Sequence, residues 1–301
     1  MSAPPYELRP AGHDDVAGIT ALDRADEAAI WGQAETDASD VRHELAGVGD
    51  PRTRTQVAVG PDGVLAFAVV RPPHGELRIV ISPALSDDDA WAVGGALMRW
   101  VVDAGAREAD HPADDHRRRR LLMANGFSPF GSNFELERVT TEPVGGPSWP
   151  PGVTVGAFDP TRDVGPVHRL VYSVWTDVPG HHFRAEAAWR QLFCEHEAFD
   201  PWLQVLAYRG TDLVGVAMNR VYGVTDGWIS QLAVARPAQG AGLGRALLVE
   251  STRRLTAVEG VATVGLSVMA SNDRALRLYR DVGFEIDREY VLCRRRWTGA
   301  R

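Results

Sequence analysis

Three glycines and a tyrosine are the places where this sequence could do chemistry. The segment Arg236-Pro-Ala-Gln239-Gly240-Ala241-Gly242-Leu243-Gly244-Arg245 follows the apolar run Trp228 to Val234 and leads into an amphipathic helical stretch ending near Leu255. Glycines at a strand-to-helix turn let the backbone approach a ligand closely, and the free N–H groups and positive end of the helix favour a phosphate. The spacing is not the dinucleotide fingerprint, which needs two residues between its second and third glycines, and no Gly-Lys-Ser/Thr follows as in a nucleotidase loop. Alone, the segment also reads as a plain turn. Further on, Asn272, Ala275 and Tyr279 recur at spacings of three and four and fall on one helix face. Core packing would account for that spacing, but a buried amide and a buried hydroxyl need partners, which a ligand supplies.

Together, Gln239-x-x-Gly242-x-Gly244 and Asn272-x-x-Ala275-x-x-x-Tyr279-x-x-x-Gly283-Phe284 resemble the GNAT superfamily of acyl-CoA N-acyltransferases. The resemblance covers Val153 to Arg296 directly and, through an internal repeat, most of the chain. It implies acetyl-CoA as co-substrate, its pyrophosphate held by backbone amides of the loop Gln239, Gly240, Ala241, Gly242, Leu243, Gly244 and Arg245. Leu232, Ala233 and Val234 would form the strand that bonds the pantetheine arm like an added strand. Asn272 would touch that arm, and Tyr279 would be the general acid for the departing thiolate. A phenol of pKa ~10 is protonated at neutral pH and can donate.

The family often carries a Glu four residues before the position of Leu232, acting as base; here Trp228 stands there. Strict alternation along the strand places Ser230 on the side of Trp228 and Leu232, making a water on Ser230 one relay for the amine proton. Other acceptor-side candidates are Trp175, Asp177, His181 and His182 in a Gly/Pro-containing connection, for which a solvent-facing loop is the plainer reading. Without a strong base, an amine of low pKa is favoured: an α-amine at ~7.7–8.0 is partly neutral at pH 7, a lysine amine at ~10.4 is not. The expected acceptor is therefore a small molecule with an α-amine or an amino sugar. A tandem chain with a decayed first half also resembles the mycothiol synthases, which acetylate a cysteinyl pseudo-disaccharide, and a coenzyme-binding sensor without turnover is the non-enzyme alternative.

The expected fold is α/β, an α+β mixed arrangement of two tandem GNAT-like domains, each a mostly antiparallel sheet flanked by helices. Strands, helices and a closing Gly-Phe (Gly126-Phe127, Gly283-Phe284) recur in the same order in both halves, which marks a duplication. The domains are expected at 1–140 and 153–301, with a Pro/Gly-rich linker at 141–152. Aligning the repeat sets Asp115, Arg118 and Leu122 where Asn272, Ala275 and Tyr279 stand. The glycine loop is replaced by Ser86-Asp87-Asp88-Asp89, a helix start that carries its own cap and anions. One active site is expected, in the second half.

Composition sets the remaining bounds. A net charge of −8 opposes nonspecific attraction to nucleic acid or anionic lipid, and the short runs Arg117 to Arg120 and Arg294 to Arg296 lack interleaved aromatics. No apolar run approaches the ~20 residues of a membrane span. Two cysteines, Cys194 and Cys293, are too few for a disulfide framework or a metal site. The protein is expected to be cytoplasmic, metal-free, and a monomer or homodimer, without nucleic-acid or membrane partners.

Overall fold

The computed structural model describes residues 6–141, 143–175, 183–195 and 199–295. The first sequence half gives β1 (Glu7–Arg9), α1 (Val16–Trp31), α2 (Ala38–Gly47), α3 (Pro51–Arg54), β2 (Thr55–Gly60), β3 (Gly63–Arg71), β4 (Glu76–Ile81), α4 (Asp87–Asp103), β5 (Glu108–Pro112), α5 (His116–Ala124) and β6 (Phe127–Val139). The second gives β7 (Val153–Gly156), α6 (Val164–Trp175), α7 (Glu186–Phe193), β8 (Val205–Arg209), β9 (Asp212–Tyr222), β10 (Asp226–Val234), α8 (Leu243–Thr256), β11 (Thr263–Met269), α9 (Asp273–Arg280) and β12 (Glu285–Arg295).

The chain divides into two compact units, Met1–Ser132 with Tyr290–Arg301, and Asn133–Glu289. Unit 1 orders its sheet β1-β2-β3-β4-β5 and completes it with the end of β12, where Tyr290 to Arg294 run antiparallel to Pro112 to Glu108. Unit 2 orders its sheet β6-β11-β10-β9-β8-β7, with Asn133 to Val139 of β6 antiparallel to β11. The last strand of each sequence half thus serves the other unit. The compact units follow this strand pairing, whereas the bounds read from sequence follow the duplication. In each unit one neighbouring pair is parallel, β4–β5 and β10–β11, and the other pairs described are antiparallel.

Alternation along the central strands supplies a helix layer on both faces. In unit 1, Ala66, Ala68 and Val70 of β3 pack with Val93, Leu97 and Val101 of α4, while Phe67 and Val69 meet Ile19 and Leu22 of α1 and Val41 and Leu45 of α2. In unit 2, Val216 and Met218 of β9 meet Val167 and Val171 of α6 and Trp189 of α7, and Ala217 meets Leu243 and Leu247 of α8. Burying each such side chain contributes about 1.5–3 kcal/mol relative to exposure. β5, with Asp, His and Pro among its five residues, has little strand propensity and is held by its neighbours. After Phe284 the chain runs as one long strand, β12, whose later part pairs with β5.

Candidate active site

The site begins where two parallel strands part. β10 and β11 pair only from Asp226 with Thr263 to Ile229 with Leu266, although both continue beyond. On its other side β10 stays bonded to β9, with a bulge: Ile229 faces Asn219, Gln231 faces Met218, and Ser230 is the extra residue. Past the bulge, Ala235 N–H donates to the Val214 carbonyl at 2.9 Å. Counting back by the antiparallel alternation, Ala233 and Gln231 turn their backbone groups to β9, and Leu232 and Val234 turn theirs to the gap. An extended amide chain can bond there as an added strand does. The Val234 carbonyl already accepts from Gln239 Nε2 at 3.0 Å and has a second lone pair.

The glycine loop follows directly. Gly240 (φ +85°) and Gly242 (φ +87°) are left-handed, and a Cβ on either would meet nothing within 4 Å, so the loop is open as well as tightly turned. Gln239 is a brace: besides donating to Val234, its Oε1 accepts from Arg274 at 3.3 Å. Gly242 precedes α8 and no side chain caps that helix; its ladder starts with Ala246 N–H to the Gly242 carbonyl, which leaves the N–H groups of Leu243, Gly244 and Arg245 for an anion. The first turn holds no acid, so the positive end of the helix is uncompensated. Leu243 is buried in the core beneath, Ala241 is exposed, and Arg245 is exposed with one bond to the Asp281 carbonyl at 3.3 Å. The corresponding helix of unit 1, α4, is closed: Ser86 Oγ accepts from Asp89 N–H at 3.2 Å, and Asp87, Asp88 and Asp89 fill its first turn.

α9 carries the next two residues. Asn272 sits before its first turn, exposed, with Oδ1 accepting from Ala275 N–H at 3.1 Å, so it caps the helix instead of sharing a helix face with Tyr279. Asp115 does the same for α5, accepting from Arg118 N–H at 2.7 Å, as the repeat alignment requires. Tyr279 is 9% exposed among Leu248, Leu276 and Phe284, and burial pushes its phenol up to about 12. Leu122, its counterpart in unit 1, is fully buried.

On the α6–α7 face of β10 lies Trp228, over Gly265: a Cβ on that glycine would stand 2.3 Å from Trp228 Cζ3. Trp228 is opposite Arg220 of β9, whereas Leu232 is opposite Ala217, which belongs to the α8 face. The bulge therefore corrects the alternation read from sequence, because one extra residue flips everything beyond it: Trp228 and Leu232 lie on opposite faces. Ser230 Oγ is buried at this flip with no hydrogen-bond partner among the described residues. Trp175 ends α6, half-buried in the core that includes Trp189 and Phe193. Asp177, His181 and His182 lie outside the described residues. Two polar side chains not singled out from sequence also line this face: Gln231, whose Oε1 accepts from Trp189 Nε1 at 3.2 Å, and Arg220. Both interrupt otherwise apolar strands, which was the signal available. Burial pushes the Cys194 thiol up to about 11, so it is no thiolate nucleophile at neutral pH.

Unit 1 holds a cavity of about 500 Å³ at the pseudo-equivalent place, lined by Asp26, Asp87, Trp91, Asp115 and Arg118 among others. Its volume does not make it a pyrophosphate site, because its helix start is already occupied by carboxylates. Among the described residues, no group of three or more His, Cys, Asp or Glu is placed to hold a metal ion, and no helix is long and apolar enough to cross a membrane.

Comparison with known proteins bears on the same region. The profile of the Acetyltransferase (GNAT) family matches residues 168–284, which take in the parted strands, the glycine loop and α9. The mycothiol acetyltransferase of Stackebrandtia nassauensis is 33% identical over 238 residues, covering 74% of this chain and 72% of that protein. That of Frankia alni is 32% identical over 256 residues, covering 79% and 72%. Among solved structures, a GCN5-related N-acetyltransferase from Sphaerobacter thermophilus superposes with a TM-score of 0.78 at 26% identity, covering 98% of this chain and 96% of that one. A tandem GNAT protein from the clavulanic acid biosynthesis pathway shares the fold, with a TM-score of 0.73 at 15% identity, covering 96% and 98%.

Proposed function

This chain belongs to the GNAT family of acetyltransferases and is an acyltransferase, and we propose that unit 2 moves acetyl from acetyl-CoA directly to the amine of a small molecule. The observation that carries this is the uncapped glycine start of α8 beside the unpaired edge of β10. Three N–H groups and a helix dipole suit a pyrophosphate, and the edge at Leu232 and Val234 suits the amide-bearing pantetheine arm; the residues present fit coenzyme A.

Acetyl-CoA, when bound, supplies the activated acetyl group as a thioester. The chain's part is to hold, orient and manage protons. Leu243, Gly244 and Arg245 N–H groups fix the phosphates, Gln239 keeps the loop against the end of β10, and Asn272 fixes the start of α9 and hence Tyr279. Tyr279, a phenol already protonated at neutral pH and pushed higher by burial, is able to donate a hydrogen bond to a leaving thiolate. A phenol near 12 is a weaker acid than a thiol at ~8.5, so its main contribution is stabilising the negative charge, with full proton transfer following as the amine proton is released. The buried Ser230 Oγ, without a hydrogen-bond partner among the described residues, is the group on hand to hold a water for that amine proton. The protonated Cys194 argues for direct transfer over an acyl-enzyme. The acceptor class is an α-amine or an amino sugar. The mycothiol acetyltransferase relatives favour a cysteinyl pseudo-disaccharide as a second reading.

Release of free thiol from acetyl-CoA, measured against a panel of α-amines, ε-amines and amino sugars, tests the proposal. Rates should be higher for α-amines or amino sugars than for ε-amines. A clear ε-amine preference overturns the acceptor class, and no release with any amine overturns the activity.

A further inference from the structure

Arg220 is a buried cation with no counter-ion among the described residues. It is 8% exposed, and its guanidinium touches two aromatic faces, Phe193 at 5.3 Å and Tyr222 at 5.5 Å from the ring centroids. It has no hydrogen bond or ion pair with a described residue. Other partly or fully buried arginines behave differently. Arg78 is paired with Asp23 and Glu44, Arg118 with Asp26 and Asp115, and Arg138 donates to the carbonyls of Val282 and Val139. Burying a guanidinium is costly unless its donors are used, and aromatic contacts recover only part of that cost.

The position gives the reason. Arg220 is the cross-strand neighbour of Trp228, one step before the point at Ile229 where β10 and β11 part. It lies on the α6–α7 face, away from the glycine loop and α8, and so on the side left for the acceptor. Phe193 and Tyr222 fix the guanidinium plane but use none of its five donors, which suit a planar, two-oxygen anion. Resting on the acetyltransferase reading above, we infer that Arg220 binds an anionic group on the acceptor, so that the natural acceptor is an amine that also carries a carboxylate or phosphate. An α-amino acid and a phosphorylated amino sugar are the two sources of such chemistry.

The test is steady-state acetyl transfer to two matched pairs: L-phenylalanine against L-phenylalaninamide, and glucosamine 6-phosphate against glucosamine. In the wild-type enzyme the anionic member of one pair should be preferred by roughly 10- to 100-fold in kcat/KM, mostly through KM, as charge-assisted bonds imply. Which pair shows it identifies the source. In Arg220→Gln the preference should collapse to near unity, with the rate on the neutral member and acetyl-CoA binding retained; Arg220→Lys should keep part of it. If Arg220→Gln does not fold, the wild type still decides: 3-phenylpropionate or glucose 6-phosphate should compete with the acceptor, and 3-phenylpropionamide and glucose should not. Equal rates within both pairs, no competition by either anion, or a preference that survives Arg220→Gln overturns the inference while leaving the acetyltransferase intact. Transfer to no amine overturns both.

Discussion

Placing a carboxylate at the start of α8 should weaken coenzyme binding about 100-fold without harming the fold, as Gly244→Asp would show. A Cβ at Gly244 would meet Leu278 Cδ2 at 3.7 Å and Val234 Cγ2 at 3.8 Å, both ordinary contacts, so the side chain is accommodated. An acid in the first helical turn gains about 0.3–1 kcal/mol from the dipole, and replacing a helical glycine gains about 0.4–1 kcal/mol more, so melting should hold or rise. Binding moves the other way. Two unit charges ~6 Å apart repel by roughly 3 kcal/mol at an effective dielectric constant of ~20, and solvent at this exposed helix end reduces that to about 1.5 kcal/mol. Loss of one charge-assisted bond adds ~1.5 kcal/mol. The sum corresponds to a ~100-fold weaker Kd for acetyl-CoA. Equilibrium dialysis with labelled acetyl-CoA, alongside thermal melting, reads both quantities, and Gly244→Ala controls for the added Cβ. Unchanged affinity in a folded Gly244→Asp would refute the claim that the start of α8 holds the pyrophosphate.

Three further outcomes follow from single side chains. Tyr279→Phe should lower kcat by ~10²–10³-fold with acetyl-CoA affinity retained; because the phenol is pushed up to about 12, the wild-type rate should show no alkaline fall from this group below pH ~10. Ser230→Ala removes a buried, unpartnered hydroxyl, so chemical denaturation should show stability unchanged or raised by about 1 kcal/mol, while kcat falls if the hydroxyl holds a water in turnover; unaltered kcat removes Ser230 from the mechanism. Gly265→Ala drives a methyl to 2.3 Å from Trp228 Cζ3 and should cost about 1–3 kcal/mol in urea unfolding, with Trp228 emission shifted; a neutral result would show that the indole does not lie on Gly265.

The duplication was legible because its Gly-Phe ends repeat, and the glycine loop because turn glycines leave a local mark, whereas Asn272 was read on the helix face of Tyr279 and proves to be the cap of α9. The mirrored caps of Asp115 and Asn272 show that the repeat was aligned in register. What the sequence hid is what depends on distant partners. The exchange of β6 and β12 between units is invisible because either strand would alternate equally well beside any neighbour. The bulge at Ser230 needs no glycine or proline, so nothing marks it, yet it reverses the face of every residue beyond it and separates Trp228 from Leu232. Arg220 is one arginine among many until the structure shows it buried against Phe193 and Tyr222 without a counter-ion among the described residues.

Calorimetric titration of the whole chain with acetyl-CoA tests the central claim, that the open helix start of unit 2 is the coenzyme site and the acid-filled start of unit 1 is not. One molecule bound per chain is the predicted stoichiometry, and Gly244→Asp should weaken that single binding event. Two molecules per chain would show that Asp87, Asp88 and Asp89 do not close unit 1, and no binding would contradict the coenzyme site itself.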